Sequence, residues 1–169
     1  EASFLQTFES PNLHPLADFS RRVDLYPHRL VRRKRSLMCK PTFDSNVVMI
    51  TAHPGMPIDF LDAVLAARPH GIVLRTYGPG MISKDLFPWL QKVSTQDIPV
   101  VITSQALRGM VDLHRYRKQL TLEQLGVISG KNMTYECATV KLMWAITQVE
   151  GVRKVRELME RNLVGELDE

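Results

Sequence analysis

The pattern of apolar and polar positions changes near residue 46. Beyond that point four short apolar runs begin near residues 47, 72, 100 and 127, at spacings of 25 to 28 residues. Each run ends in a turn or break that contains glycine, and a stretch with helical character follows each of the turns. Short unbroken apolar runs are typical of strands that are buried on both faces of a parallel sheet.

The stretches between and after these strands predict helices. Their expected bounds are Ile58–Ala67, Asp85–Val93, His114–Leu125, a helix capped by Thr134 that runs to Gln148, and Val152–Arg161. Pro88 is compatible with the second helix because it falls in the first turn. Strands that alternate with helices predict an α/β fold, with a parallel sheet and helices on both of its faces.

Residues 1–45 show no sustained periodicity. Four prolines, at positions 11, 15, 27 and 41, interrupt this stretch and disfavour regular structure. The sequence therefore predicts an extended linker arm over residues 1–45 and an α/β domain over residues 46–169. Alternation within Arg29–Arg33 leaves a short edge strand as an alternative. The start at Glu1 rather than Met favours a fragment or a processed piece.

Composition narrows the class of protein. The 169 residues are 44% hydrophobic and 24% charged, which excludes a wholly disordered chain. The net charge of +4 is local, because residues 21–40 carry +7 and the remainder carries −3. A nucleic-acid partner is therefore not expected. The basic run Arg29–Arg35 either binds phosphate polyanions or is a solvated linker.

Cofactors and membrane anchoring are also not expected. Cys39 and Cys137 lie 98 residues apart, and the five histidines show no paired spacing, so the pattern predicts no metal site and no disulfide scaffold. No dinucleotide fingerprint or phosphate loop is present. No apolar run is long enough to span a bilayer, and no signal-peptide pattern occurs.

Polar residues at the ends of two strands are the candidates for chemistry. The loop Tyr77–Gly80 is either a ligand loop or a plain turn that needs glycine. Thr103, Ser104 and Gln105 offer hydroxyls and an amide, to a ligand or to a local cap. Arg75 ends an apolar strand and needs a partner, which is either a ligand carboxylate or an internal acid such as Asp112.

Several motifs in order resemble one known family. They are Ser10-Pro11-Asn12 with Pro15-Leu16-Ala17, GIVLRTYGPG at residues 71–80, IPVVITSQ at 98–105, GVISG at 126–130, Met133-Thr134 followed by TVKLMW at 139–144, and NLVGEL at 162–167. The series is similar to the C-terminal domain of bacterial type I, cytoplasmic L-asparaginases. The match covers essentially residues 8–169, and its several ordered motifs make it specific.

The resemblance implies a small Rossmann-like domain joined by a linker to an N-terminal domain outside this sequence. It implies that no catalytic residue lies in this chain, because the threonine nucleophile belongs to that other domain. The loop residues Tyr77, Gly78, Gly80 and Met81 would then complete an active site across a subunit interface. In some members this domain also holds an allosteric asparagine, which implies an effector-like site of Arg75, Thr103, Ser104 and Gln105.

The implied activity is the hydrolysis of L-asparagine to L-aspartate and ammonia. The implied protein is cytoplasmic, forms a homodimer or homotetramer, and binds L-asparagine or L-aspartate without a cofactor. Two departures leave alternatives open: Met81 replaces the family's usual Asn, and Ala106 replaces the Cys of several members. The alternatives are a non-catalytic effector-binding module or a subunit of a tRNA-dependent amidotransferase.

Overall fold

A computed structural model of the chain describes residues 9–19, 21–26, 39–113 and 117–168. Its described strands form a two-stranded antiparallel sheet and a four-stranded parallel sheet. The first sheet consists of β1 (Ala17–Phe19) and β2 (Val23–Leu25). The second is ordered β3-β4-β5-β6, with bounds Val47–Thr51, Gly71–Thr76, Val100–Ser104 and Ile128–Ser129.

Five α-helices accompany the parallel sheet in the described part of the chain. They are α1 (Ile58–Ala66), α2 (Phe87–Ser94), α3 (Arg117–Gln124), α4 (Tyr135–Gln148) and α5 (Val152–Met159). A 3₁₀ turn over Lys84–Leu86 leads directly into α2. None of the described helices is long and apolar enough to cross a membrane.

Alternate side chains of the strands pack into two separate hydrophobic cores, one on each face of the sheet. Ile72, Leu74 and Ile102 pack with residues of α1 and α2 on one face, where the Trp89 indole N–H donates to the Leu61 carbonyl at 3.0 Å. On the other face Val73 and Val101 pack with residues of α4 and α5. The predicted α/β fold, with a parallel sheet and helices on both faces, is confirmed.

Where the structure describes them, the helix bounds agree with the predicted ones to within two residues. Pro88 does lie in the first turn of α2, but Asp85 belongs to the preceding 3₁₀ turn. Thr134 does cap α4, because its hydroxyl oxygen accepts the backbone N–H of Cys137 at 3.3 Å. The predicted start of α3 at His114 lies outside the described residues, as does the basic run with the alternative strand Arg29–Arg33.

The predicted arm is partly ordered against the domain. The Asn12 side-chain amide donates to the Asn132 carbonyl at 2.9 Å, and the Asn132 amide donates back to the Asn12 carbonyl at 3.3 Å. The backbone N–H of Gly109 donates to Asn12 Oδ1 at 2.9 Å. These bonds fasten the arm at Asn12 next to β6. The strands β1 and β2 follow as a hairpin that the proline count did not predict.

A buried ion pair fastens the C-terminal segment. The Lys141 ammonium on α4 lies 2.6 Å from Glu166 Oε1, and the two side chains are only 6% and 11% exposed. The same ammonium donates to the carbonyls of Met159 and Arg161 at the end of α5. Burial alone would raise the pKa of Glu166, but the bond from Lys141 and those from backbone amides outweigh it and lower that pKa.

Candidate functional site

The candidate site begins with a row of side chains across three neighbouring strands. Thr51, Arg75 and Thr103 are register partners at the carboxyl ends of β3, β4 and β5. Register partners in a parallel sheet point to the same face, and Val73 and Val101 two residues earlier show that this face is covered by α4. Arg75 and Thr103 therefore meet between the sheet and the start of α4.

Both of these side chains have a polar atom without a partner. The Arg75 guanidinium carbon lies 3.8 Å from the centroid of the Tyr135 ring, at the first residue of α4. Arg75 Nε is buried, as is the hydroxyl of Thr103, and neither makes a hydrogen bond with any described residue. Two buried donors side by side at a strand end are suited to a carboxylate oxygen.

The stacking partner of Arg75 was not among the two predicted alternatives, a ligand carboxylate or Asp112. Tyr135 could have been found from the sequence, because a helix that follows a parallel strand begins at the carboxyl edge of the sheet. Thr134 marks that beginning, so the residues after it must lie near the strand ends. The sequence pattern predicts Thr134 only as a helix cap.

Glu136 adds a negative charge to this edge. Burial alone would raise the pKa of Glu136, but hydrogen bonds from the Tyr135 phenol, its own backbone amide and the Thr134 hydroxyl lower it, together with the Arg75 charge. The same bond to Glu136, and the charge of that carboxylate, raise the pKa of Tyr135. At neutral pH Glu136 is therefore an anion near Arg75, and Tyr135 remains a neutral phenol.

The other two predicted effector residues face elsewhere. Ser104 directly follows Thr103 on β5 and so points to the opposite face, where its Oγ accepts the Ala106 N–H at 3.0 Å. The Gln105 side-chain amide donates to the carbonyls of Ala52 at 2.6 Å and Arg75 at 3.2 Å. The predicted group of four is therefore not brought together: Ser104 points to the other face, and Gln105 ties the ends of β3 and β4 together.

The predicted substrate loop is a tight turn after β4. Tyr77 and Met81 exchange backbone hydrogen bonds of 2.9 and 2.8 Å. Gly78 and Gly80 have φ values of +45° and +107°, which favour glycine at both positions. The Asp112 N–H donates to the Pro79 carbonyl at 3.0 Å and holds the tip. The Met81 side chain is 46% exposed, so the turn presents a thioether to the exterior.

An open cleft of about 600 Å³ lies at the opposite, amino edge of the sheet. Its wall includes His70, whose Nδ1 lies 2.7 Å from Asp44 Oδ2. The Asn46 backbone N–H and His70 lower the pKa of Asp44. This cleft is separated from Arg75 by the length of β4. Across the described residues, no group of three or more His, Cys, Asp or Glu side chains could hold a metal ion.

The parallel sheet with helices on both faces agrees with the outcome of a family comparison. Residues 46–159 match the family model described as the Glutaminase/Asparaginase C-terminal domain. The chain belongs to this family. The resemblance to the C-terminal domain of L-asparaginases is thereby confirmed.

Individual relatives carry two different names. An L-asparaginase of Thermococcus kodakarensis is 37% identical over 165 residues, which are 96% of this chain and 50% of that protein. A Glutamyl-tRNA(Gln) amidotransferase subunit of Metallosphaera sedula is 33% identical over 162 residues, which are 94% of this chain and 37% of that protein. The chain thus spans half or less of the length of these curated relatives.

Solved structures support the same family. The thermostable L-asparaginase of Thermococcus kodakarensis superimposes with a TM-score of 0.84 at 34% identity, covering 100% of this chain and 52% of that one. L-asparaginase I of Vibrio cholerae gives a TM-score of 0.85 at 30% identity, covering 96% of this chain and 50% of that one.

Proposed function

We propose that this chain is the C-terminal domain of an L-asparaginase-like amidohydrolase that converts L-asparagine and water to L-aspartate and ammonia. The single observation that carries the proposal is the pair of buried, unpartnered donors on Arg75 and Thr103, in a chain that belongs to the asparaginase C-terminal family. The two donors lie at the carboxyl edge of a parallel sheet, where α/β folds bind ligands.

The chemical step is assigned to a domain that precedes this one. A threonine there attacks the side-chain amide of asparagine, ammonia leaves, and water hydrolyses the acyl-enzyme. This chain would contribute the turn Tyr77–Met81 to an active site across a homodimer or homotetramer interface. The Cys137 thiol is unsuited to the attack, because burial raises its pKa. The proposed setting is the cytoplasm, and no cofactor is required.

Arg75 and Thr103 are assigned to an effector site for L-asparagine or L-aspartate. The α-carboxylate of the ligand would accept hydrogen bonds from Arg75 Nε and from the Thr103 hydroxyl. These two bonds would give both unpartnered donors an acceptor. The anionic Glu136 lies on the same edge, where it suits the α-ammonium group of an amino acid. The side chains of Ser104 and Gln105 would not contact the ligand. They would instead stabilise the carboxyl edge of the sheet through hydrogen bonds to backbone atoms.

Calorimetric titration of this chain with L-asparagine, L-aspartate and L-glutamine tests the effector site. We expect heat of binding for asparagine or aspartate. No binding of any of the three amino acids would contradict the assignment. Ammonia release by the protein that carries both domains tests the enzymatic assignment separately.

Met81 favours a second candidate, an effector-binding module without catalytic activity. A thioether cannot donate to a substrate carboxylate or amide, and Met81 stands where the family usually has Asn. Asparagine binding without ammonia release by the complete protein would support this candidate. Turnover of asparagine would exclude it.

The relatives that are named as Glutamyl-tRNA(Gln) amidotransferase subunits support a third candidate, a role in tRNA-dependent amidation. A tRNA-binding protein shows a steep fall in affinity as salt rises, because counterions are released on binding. The proposed amidohydrolase should instead retain no tRNA in a filter assay at low salt. Retention with a steep salt slope would favour the amidotransferase role.

A further inference from the structure

The strand β3 is an open edge of the parallel sheet, because among the described residues it pairs only with β4. Just beyond its end, the Ala52 N–H donates to the Arg75 carbonyl at 2.9 Å. In a parallel pair, alternate residues direct their backbone groups to the neighbouring strand. The residues at positions 48 and 50 therefore bond to β4 as Ala52 does, and the backbone groups of Val47, Met49 and Thr51 point outward.

No residue within β3 protects this edge. Natural sheets guard an exposed edge with lysine, proline or a bulge, or cover it with another segment. The strand reads Val-Val-Met-Ile-Thr, without a charge or a proline, and its register with β4 is continuous over the whole strand. At the other end of the sheet, by contrast, the Lys131 carbonyl just after β6 accepts the Val111 N–H at 2.8 Å. An unpaired edge rich in β-branched residues is a template for another strand.

Exposed apolar side chains flank this edge on both faces of the sheet. Met49 is the register partner of Val73 on the face of α4, and it is 45% exposed. On the opposite face Phe60 of α1 is 53% exposed. Asp62 pairs with Lys92 of α2 at 2.9 Å, and Phe60 lies about 200° away from Asp62 around the helix, on the flank that faces away from α2. Because α1 precedes β4 and α2 follows it, that flank faces the open edge of β3.

We propose that β3 pairs antiparallel with β3 of a second copy of this chain, so that two four-stranded sheets join into one. A two-fold axis at Met49 places this residue opposite itself, and places Val47 opposite Thr51 of the second copy. All three residues have outward backbone groups, so each of these pairs exchanges both of its backbone hydrogen bonds. The interface is separate from the turn Tyr77–Met81, and it does not depend on the proposed function.

A second copy fits the edge because its sequence is complementary to itself in this register. On the face of α1, Val48 lies opposite Ile50 of the second copy, and such cross-strand pairs of β-branched residues stabilise a sheet. Beyond the strand, Asp44 lies opposite Pro54, so no like charges face each other. An axis perpendicular to the sheet keeps both α1 helices on one face, where Phe60 of each copy flanks the joined edges.

Sedimentation velocity of the 169-residue chain tests the proposal through the position that pairs with itself. The paired strand is short and makes a small interface, so we expect self-association between roughly 1 and 100 µM. Met49→Lys and Met49→Glu each place like charges opposite each other at the axis, and each should raise the dissociation constant of self-association at least about 10-fold. An equimolar mixture of the two variants should associate again at low salt, as a mixed dimer.

Val164→Lys is the matched control, because it adds the same charge at a side chain that is 90% exposed in the segment after α5, and it should keep the wild-type constant. A wild-type chain that stays monomeric over this range would overturn the proposal, in favour of a strand supplied by a different protein. An unchanged dissociation constant in Met49→Lys would also overturn it. So would a mixture of Met49→Lys and Met49→Glu, each folded by its thermal melt, that associates no more strongly than either variant alone.

Discussion

Arg75 is the residue on which the candidate site depends most. Its guanidinium stacks 3.8 Å over the Tyr135 ring while its Nε stays buried without an acceptor. A guanidinium in this state is held in place by the aromatic ring and still has hydrogen-bonding capacity left for a ligand. That combination distinguishes a binding arginine from one fully used in an internal ion pair.

We predict that Arg75→Ala weakens effector binding by about 1.5 to 3 kcal/mol, as expected for a charge-assisted hydrogen bond. The measurement is a thermal melt with and without about 10 mM L-asparagine, where the ligand-induced shift should disappear. Arg153→Ala on the exposed face of α5 is the matched control and should leave the shift unchanged. A shift that survives in Arg75→Ala would show that the arginine is only structural.

The sequence predicted the position of Arg75 but not its surroundings. Its place at the edge follows from the apolar run Ile72–Leu74, and strand alternation already puts Ser104 on the other face from Thr103. The Thr134 cap is enough to place Tyr135 near the strand ends, but the stack on Arg75 also depends on where α4 crosses the sheet. The unpartnered state of the Thr103 hydroxyl likewise depends on the packing around it.

Among the elements, α4 links the two ends of the domain. Its first residue stacks on Arg75, and Lys141 two turns later holds Glu166 of the C-terminal segment. The apolar runs and the Thr134 cap were enough to predict α4. The hairpin of β1 and β2 was not predicted, because three-residue strands are too short to show periodicity and Pro15 and Pro27 flank them.

We predict that Glu166→Gln lowers the free energy of unfolding by about 3 to 5 kcal/mol at pH 7, because Lys141 would remain buried without its counter-charge. Since the pKa of Glu166 is lowered in the folded state, its contribution is present above its ordinary carboxyl value and is lost as the pH falls through the folded value. Urea unfolding between about pH 3 and about pH 7 measures both effects.

The pH dependence separates a titrating ion pair from a packing defect. The wild type should lose stability at acid pH more steeply than Glu166→Gln, which has no proton to bind at this position. Glu157→Gln is the control, because the exposed pair of Glu157 with Arg153 is worth little. Identical acid slopes for wild type and Glu166→Gln would contradict the assigned role of the pair.

At the scale of the whole molecule, we propose that the chain provides one edge of a larger assembly. Family membership is established over residues 46–159, and the fold follows from it and from the apolar pattern. The activity could be predicted only through the resemblance, because the residues proposed for the chemical step lie outside this sequence. The turn at Met81 is the surface through which we propose that this domain meets a neighbouring subunit.

The most direct test of the central proposal is ammonia release from L-asparagine by the protein that carries both domains. We predict turnover at millimolar L-asparagine. We also predict that Arg75→Ala changes the dependence of the rate on asparagine concentration more than it changes the maximal rate. L-glutamine measured in parallel reports the preference between the two amides. No ammonia release at millimolar asparagine, from protein that is folded by its thermal melt, would contradict the proposed function.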